Sequence, residues 1–124
     1  MSGIKWSIAA VALIAVAASR AQGATLVTPV VLITNTDTPI CIASNIGTGE
    51  ATVTIELISP GGTVVAPPFA ACPTGILSPG ASCIQSYSAG SDGRCVFTVK
   101  GKVRALLEVV GSGGTIQTVI AATK

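Results

Sequence analysis

The sequence predicts an all-β protein: a two-sheet antiparallel sandwich of about seven or eight strands that follows an N-terminal signal helix. After residue 24, short runs rich in Val, Ile, Leu and Thr recur roughly every 8 to 12 residues, with Gly, Pro, Asn or Asp between them. Segments with helical periodicity are nearly absent there. The length suits one domain with a single two-layer core.

The N-terminal residues 1–23 have the organisation of a secretory signal peptide. Lys5 precedes an apolar run from Ser7 to Ala18, and small residues follow. The run is shorter than the roughly 20 residues that a helix needs to span a bilayer core. We therefore expect cleavage that leaves a secreted or periplasmic domain of residues 24–124 without a stable membrane anchor. An uncleaved N-terminal anchor is the alternative.

The first predicted strand covers residues 26–34 and the second covers residues 39–44. Pro29 interrupts the first strand, and Cys41 lies in the second. Proline cannot donate to a β-ladder, so within sheets it is found on edge strands, at the start of a strand or at bulges. The first strand is therefore expected at an edge.

The third predicted strand, residues 51–59, has the clearest alternation. Val53, Ile55 and Leu57 alternate with Thr and Glu. Because successive side chains of a strand point to opposite faces, this pattern predicts one buried and one solvated face. Three further β-branched segments between turns rich in Gly, Pro and Ser are predicted as strands: residues 62–66, 81–87 and 115–122.

Residues 94–101 and 102–110 alternate in the same way and are joined through Gly101. Strands joined by so short a connection commonly pair as a hairpin, so we expect these two to pair. A helix over residues 104–110 is the alternative, since Ala, Leu and Glu favour helices, but the alternation favours a strand. The side chains predicted to face the core are those of Cys95, Phe97, Val99, Val103, Ala105, Leu107 and Val109.

The charge of the domain excludes some classes of partner. The chain has seven Lys and Arg residues, of which Lys5 and Arg20 lie in the signal segment, so five cations face five Asp and Glu residues. With no net charge, a charge-driven attraction to nucleic acid or to anionic lipid is not supported. Four of the five cations lie between Arg94 and Arg104, where they form either a small basic strip or a solvated strand face.

The residue types present do not suggest an enzyme. The chain has no histidine, so a Ser-His-Asp or Cys-His arrangement is impossible. The carboxylates are expected in turns or on solvated strand faces, and one carboxylate near residue 92 is few for a calcium site. We predict no catalytic residue, no cofactor and no bound metal. The carboxylates are Asp37, Glu50, Glu56, Asp92 and Glu108.

Aromatic residues are scarce in the predicted domain, which contains only Phe69, Tyr87 and Phe97. Sandwich modules that bind carbohydrate stack sugars on exposed aromatic rings. Since at least one of the three rings is expected in the core, a carbohydrate-binding module is disfavoured.

The four cysteines are predicted to form two disulfides. They have no C-x-x-C spacing, as a structural zinc site or a thioredoxin-type redox pair would require. An even number of cysteines in a small exported domain indicates disulfides instead. Four cysteines allow three pairings, and the sequence alone does not choose among them. The cysteines are Cys41, Cys72, Cys83 and Cys95.

Three segments resemble bacterial secreted immunoglobulin-like modules, including domains of the Hydin type. These are "ACPTGILSPGASCIQSYSAG", "NIGTGEATVTIEL" and "CVFTVKGKVRALLEVV". The resemblance covers residues 41–110 and implies an immunoglobulin-like sandwich and an extracytoplasmic compartment, but it assigns no functional residue. The sequence departs from antibody domains because Gly93, not tyrosine, stands two residues before Cys95, and residues 51–59 contain no tryptophan.

The immunoglobulin-like arrangement leads to a disulfide pairing. In that arrangement a bridge between the second and sixth predicted strands joins the two sheets, which pairs Cys41 with Cys95. Cys72 and Cys83 then close their own loop. On the chain-entropy model the two bridges contribute about 4 and about 3 kcal/mol respectively.

These observations predict an exported, non-enzymatic accessory module that binds a partner or has a structural role at the cell surface or in the periplasm. The alternative is a self-assembling, pilus-like fibre subunit in which the N-terminal strand, residues 24–34, pairs with a neighbouring sheet. Pro29 favours an ordinary edge strand over donation. We expect a monomer or a weak dimer.

Overall fold

The structure is a computed structural model that describes residues 23–68, 72 and 74–124. Within these ranges the protein is all-β, with two antiparallel sheets of five and four strands, which confirms the predicted fold class. No helix among the described residues is long and apolar enough to cross a membrane. The predicted signal segment lies outside them, apart from Gly23. The strands are β1 (Ala24–Val27), β2 (Thr38–Asn45), β3 (Ala51–Ile58), β4 (Val64–Val65), β5 (Ile76–Leu77), β6 (Ser82–Ser86), β7 (Arg94–Lys100), β8 (Val103–Val110) and β9 (Ile116–Ala121).

The five-stranded sheet has the order β1-β7-β3-β4, and β5 also pairs with β3. β7 is central, because its Phe97 lies opposite Leu26 of β1 on one side and Ile55 of β3 on the other. Alternate residues of β3 and β7 are buried. The alternation predicted for residues 51–59 and 94–101 is therefore confirmed.

The four-stranded sheet has the order β6-β2-β8-β9. On β2, Cys41 lies opposite Gln85 of β6 and Leu107 of β8. Ala105, Leu107 and Val109 of β8 are buried as predicted, whereas Val103 is half-buried at the margin of the core.

The predicted hairpin between β7 and β8 is wrong. β7 lies in the five-stranded sheet and β8 in the four-stranded sheet, so the chain crosses the sandwich between them. Gly101 makes the crossing with φ of +105°, and a Cβ there would lie 3.0 Å from the Cβ of Ala51. Both strands do turn the predicted residues toward the core, but from opposite sides of it. Alternation identifies the buried face of a strand and not its neighbour in the sheet.

The first strand is shorter than predicted, because β1 ends at Val27 rather than continuing to residue 34. Beyond it the backbone N–H of Thr28 donates to the Cys95 carbonyl (3.1 Å), and Val31 exchanges two backbone hydrogen bonds with Gly93 (2.8 and 3.0 Å). Pro29 lies between these contacts and has no N–H to donate. The segment therefore follows the edge of β7 without forming a continuous ladder, and β1 lies at the edge of its sheet as expected.

Two short elements differ from the prediction. β4 contains two residues, Val64 and Val65, where five were predicted. β5, also two residues, lies where no strand is predicted, and it pairs with Ala51 and Thr52 at the start of β3. Two residues are too few to show a strand period, which explains why β5 was missed.

The core lies between the sheets and is aliphatic around two buried rings. Phe97 is completely buried and Tyr87 is 2% exposed. Phe69 lies outside the described residues. The buried core residues are Cys41, Ala43, Val53, Ile55, Leu57, Leu77, Cys83, Tyr87, Cys95, Phe97, Val99, Ala105 and Leu107.

Candidate functional site

The Cys41–Cys95 disulfide joins the two sheets through the middle of the core. Cys41 lies on β2 and Cys95 on β7, their Cα atoms are 5.8 Å apart, and both residues are fully buried. This is the bridge that the immunoglobulin-like arrangement predicts. Because it ties one sheet directly to the other, it holds the two outer faces of the sandwich in a fixed relation.

The Cys72–Cys83 disulfide closes the loop that contains β5. It joins the segment before β5 to the buried side of β6, with the two Cα atoms 5.7 Å apart. It is the second predicted pair. Residues 69–71 and 73 of this loop lie outside the described residues. The bridge ties β5, which pairs with β3 in one sheet, to β6 in the other sheet.

Asn45 is a buried polar residue that the sequence analysis missed. Its side-chain amide nitrogen donates to the carbonyls of Gly49 (2.8 Å) and Leu77 (2.9 Å), and its Oδ1 accepts from the backbone N–H of Gly47 (2.9 Å). It therefore fixes the turn between β2 and β3 and holds β5 beside that turn. An Asn two residues before a Gly is a signal for such a turn.

Tyr87 and Gln85 form a second buried polar pair. The Gln85 amide nitrogen donates to the Tyr87 hydroxyl oxygen at 2.9 Å. Burial raises the pKa of Tyr87, and the hydrogen bonds from Gln85 and from the Leu57 backbone only partly offset this effect. The phenol therefore stays neutral over a wide pH range, as a structural hydrogen-bonding group requires.

The five carboxylates that the sequence analysis considered do not come together. Among the described residues, no group of three or more His, Cys, Asp and Glu side chains could hold a metal ion. Asp92 has a local role, since its Oδ1 accepts the backbone N–H of Ile33 at 2.7 Å. This contact holds the segment after β1 near the start of β7. Glu56 and Glu108 lie on different sheets.

The cations between residues 94 and 104 do not form one strip. Arg94 and Lys100 lie at exposed positions of β7 in the five-stranded sheet. Arg104 lies at an exposed position of β8 in the other sheet, and Lys102 lies in the crossing between them. The structure therefore divides these charges between the two outer faces.

The outer face of the five-stranded sheet has a centre of threonines, and we call it the threonine face. Apolar side chains lie at its margin, where Ile76 opposite Thr52 is 53% exposed and Val64 opposite Ile58 is 55% exposed. Thr25 of β1, Thr98 of β7 and Thr54 of β3 form one row across three strands. Thr52 lies opposite Lys100 in the next row. Val27, Val96 and Glu56 form the row on the other side of the three threonines. The threonine residues are Thr25, Thr52, Thr54 and Thr98.

The outer face of the four-stranded sheet has an apolar centre, and we call it the apolar face. Polar side chains of Thr38, Ser44, Ser82 and Ser86 lie around this centre. Its central row crosses all four strands, in the order Ile84, Ile42, Leu106 and Ala121. Ile84 is 52% exposed. Ile42 and Leu106, in the middle of the row, are half-buried. The apolar residues of this face are Ile40, Ile42, Ile84, Leu106, Val110, Ile116, Val119 and Ala121.

Two charges of opposite sign lie on the apolar face. Both are on β8, with Arg104 two residues before Leu106 and Glu108 two residues after it. Arg104 lies opposite Ser44 of β2, and Glu108 lies between Ile40 of β2 and Val119 of β9. Neither charge therefore has an oppositely charged cross-strand neighbour.

Comparisons with protein-family models, with curated proteins and with solved structures find no match.

Proposed function

We propose that this protein is an exported, non-catalytic β-sandwich module that acts outside the cytoplasm by binding a protein surface with its apolar face. The observation that carries this proposal is the contrast between the two outer faces. A row of Ile and Leu crosses the centre of the outside of one sheet, while a row of three threonines crosses the centre of the outside of the other. Burying apolar surface against a partner is favourable by a free energy of about 25 cal/mol for each Å² removed from water.

The disulfides support the extracytoplasmic part of the proposal. Both cysteine pairs lie at disulfide distance across buried or half-buried positions. Such bridges form and persist in oxidising compartments such as the periplasm or the extracellular space. The N-terminal segment, which has the plan of a signal peptide, points to the same compartment.

Photo-crosslinking in the producing cells tests the binding role. A photoreactive amino acid would replace Ile84 on the apolar face or, as the matched control, Thr98 on the threonine face. Both positions lie on strands and point away from the core. We expect a crosslinked product from position 84 and none from position 98. Products from position 98 alone, or from neither position, would contradict the proposal.

A fibre subunit is a second candidate function. One observation favours it: β1 is the last strand in the order of its sheet and pairs with β7, so the same backbone groups of β7 could accept the N-terminal segment of a neighbouring chain. Exchange would have to replace the contacts within the chain at Thr28 and Val31 and the two backbone hydrogen bonds between Val27 and Thr123. Negative-stain imaging of the exported protein tests this candidate, since fibres would support it and discrete particles would contradict it.

A further inference from the structure

We infer that the partner of the apolar face is a second copy of this chain, stacked face to face about a two-fold axis along the row Ile84, Ile42 and Leu106. This inference rests on the proposed function, because it names the surface that the apolar face binds. In this dimer, β8 of one copy lies antiparallel over β8 of the other.

The spacing of charge on β8 is the first argument for a second copy. Arg104 and Glu108 are placed symmetrically about Leu106, each two residues away, which is about 7 Å along a strand. In a two-fold interface, if residue i contacts residue j of the partner, then j contacts i. A two-fold axis at Leu106 therefore places Arg104 of each copy over Glu108 of the other, which makes two equivalent ion pairs.

The direction of the stacking follows from the cost of leaving charges unpaired. In a parallel alternative, β8 of one copy would lie above β2 of the other copy. Arg104 would then face Ser44 of the other copy, and Glu108 would face Ile40 of the other copy. A charge removed from water without a partner is strongly unfavourable. The antiparallel arrangement pairs both charges and also stacks the central apolar row of each copy on the same row of the other. Sheets pack in this way at about 10 Å separation in sandwiches.

The other residues of the apolar face are compatible with the same two-fold rotation. The two-fold axis leaves each strand above its own copy, so Ile42 stacks near Ile42 and Ile84 near Ile84. The serines of the row Ser82, Ser44 and Arg104 then lie over the row Ser86, Ile40 and Glu108. The threonine face lacks a pair of opposite charges placed symmetrically on one strand. Glu56 lies on β3 and Lys100 lies on β7, on opposite sides of the row of three threonines.

Charge reversal tests the geometry. The exported protein, purified with both disulfides intact, would be studied by sedimentation velocity over a range of concentrations. We expect a concentration-dependent monomer–dimer equilibrium. Arg104→Glu alone and Glu108→Arg alone should each raise the dimer Kd about tenfold or more, because each places like charges face to face. The double variant Arg104→Glu with Glu108→Arg should restore the Kd, since it exchanges the two charges.

Matched controls use the same substitutions on the threonine face. Arg94→Glu and Glu56→Arg also reverse one charge at an exposed strand position, and they should leave the Kd unchanged. Circular dichroism of each variant verifies that it folds. If the double variant fails to restore the dimer although it folds, or if the controls weaken it equally, the inferred geometry is wrong.

The failure of this inference can be distinguished from the failure of the proposed function. A wild-type protein that is monomeric at every concentration overturns the inference. In that case a crosslink from position 84 to a different protein would leave the proposed function standing. A crosslinked product of twice the chain mass, made of two copies, would support both.

Discussion

The two outer faces of the sandwich are built on the same kind of strand but have different side chains at their centres. β3 and β7 place Thr54 and Thr98 side by side toward solvent, whereas β2 and β8 place Ile42 and Leu106 at the equivalent central positions. Both sheets bury their other face against one core. The difference between the faces is therefore not required by the core, and it is the observation on which the proposed binding role rests.

Different residues are expected to determine the stability of the monomer and its association. The buried side chains and the Cys41–Cys95 bridge lie between the sheets, so the stability of the monomer depends on residues that neither outer face contains. Substitutions at exposed strand positions usually change stability by less than about 0.5 kcal/mol. Changes to the apolar face should therefore alter association while leaving the fold intact.

The largest expected effect comes from removing the bridge that holds the faces together. Cys41→Ala with Cys95→Ala should lower the free energy of unfolding by about 4 kcal/mol on the chain-entropy model, and Cys72→Ala with Cys83→Ala by about 3 kcal/mol. Urea denaturation of both double variants measures the two losses. An equal or larger loss of unfolding free energy on removing the Cys72–Cys83 pair would mean that the Cys41–Cys95 bridge does not make the larger contribution to stability.

A second prediction exchanges the chemistry of the two faces. Thr54→Ile with Thr98→Ile should create a second apolar face and so increase self-association. Ile42→Thr with Leu106→Thr should abolish association while changing the free energy of unfolding by about 1 kcal/mol or less. Light scattering and urea denaturation measure the two quantities. Loss of folding in the Ile42 and Leu106 variant would show that the apolar face belongs to the core rather than to an interface.

A third prediction concerns the edge of the threonine-faced sheet. Pro29→Val supplies a backbone N–H between the contacts at Thr28 and Val31 and removes the proline that interrupts the segment. Uncharged apolar edges with free donors promote aggregation, so solubility should fall modestly. Unchanged solubility of the Pro29 variant would indicate that this edge is protected by other contacts.

The smallest predicted effect is a loss of stability at alkaline pH. The pKa of Tyr87 is raised in the folded protein, mainly by burial, so the folded state binds the phenolic proton more tightly than the unfolded state does. The stability from this group is complete below the unfolded-state pKa of about 10 and is lost as the pH rises through the folded-state value. Tyr87→Phe should be less stable at neutral pH by about 1 kcal/mol, because Gln85 loses its acceptor.

The comparison between wild type and Tyr87→Phe isolates this titration from that of the lysines. Thermal melts at several pH values above 9 should show the wild type losing its advantage over the variant. A constant difference between the two proteins at all these pH values would contradict the account of Tyr87.

Much of the fold could be predicted from the sequence because period-two alternation identifies the buried side of a strand. Val53, Ile55 and Leu57 were assigned to the core on this basis and are buried. The pairing of β7 with β8 was wrong, because alternation does not identify the neighbouring strand. A short connection through a glycine can either turn back within a sheet or cross to the other one, and only packing against β1 and β3 decides between them.

The apolar face was missed although part of its signal is visible in the sequence. In β2, Ile40 and Ile42 flank Cys41, so apolar residues occur on both sides of the strand, and the same is true of Leu106 beside Leu107 in β8. Such runs predict a strand that is covered on both faces. The sequence cannot show that these residues share one row with Ile84, because that depends on the register between strands distant in the chain.

Methyl NMR of the purified protein on dilution tests the central claim most directly. The claim is that two copies of the chain associate through the apolar face and that the threonine face stays solvated. On dilution, the methyl signals of Ile42, Ile84 and Leu106 should shift together with a single dissociation constant. Those of Thr25, Thr54 and Thr98 should stay fixed. Shifts at the threonine methyls, or none at the isoleucine and leucine methyls over the full concentration range, would contradict it.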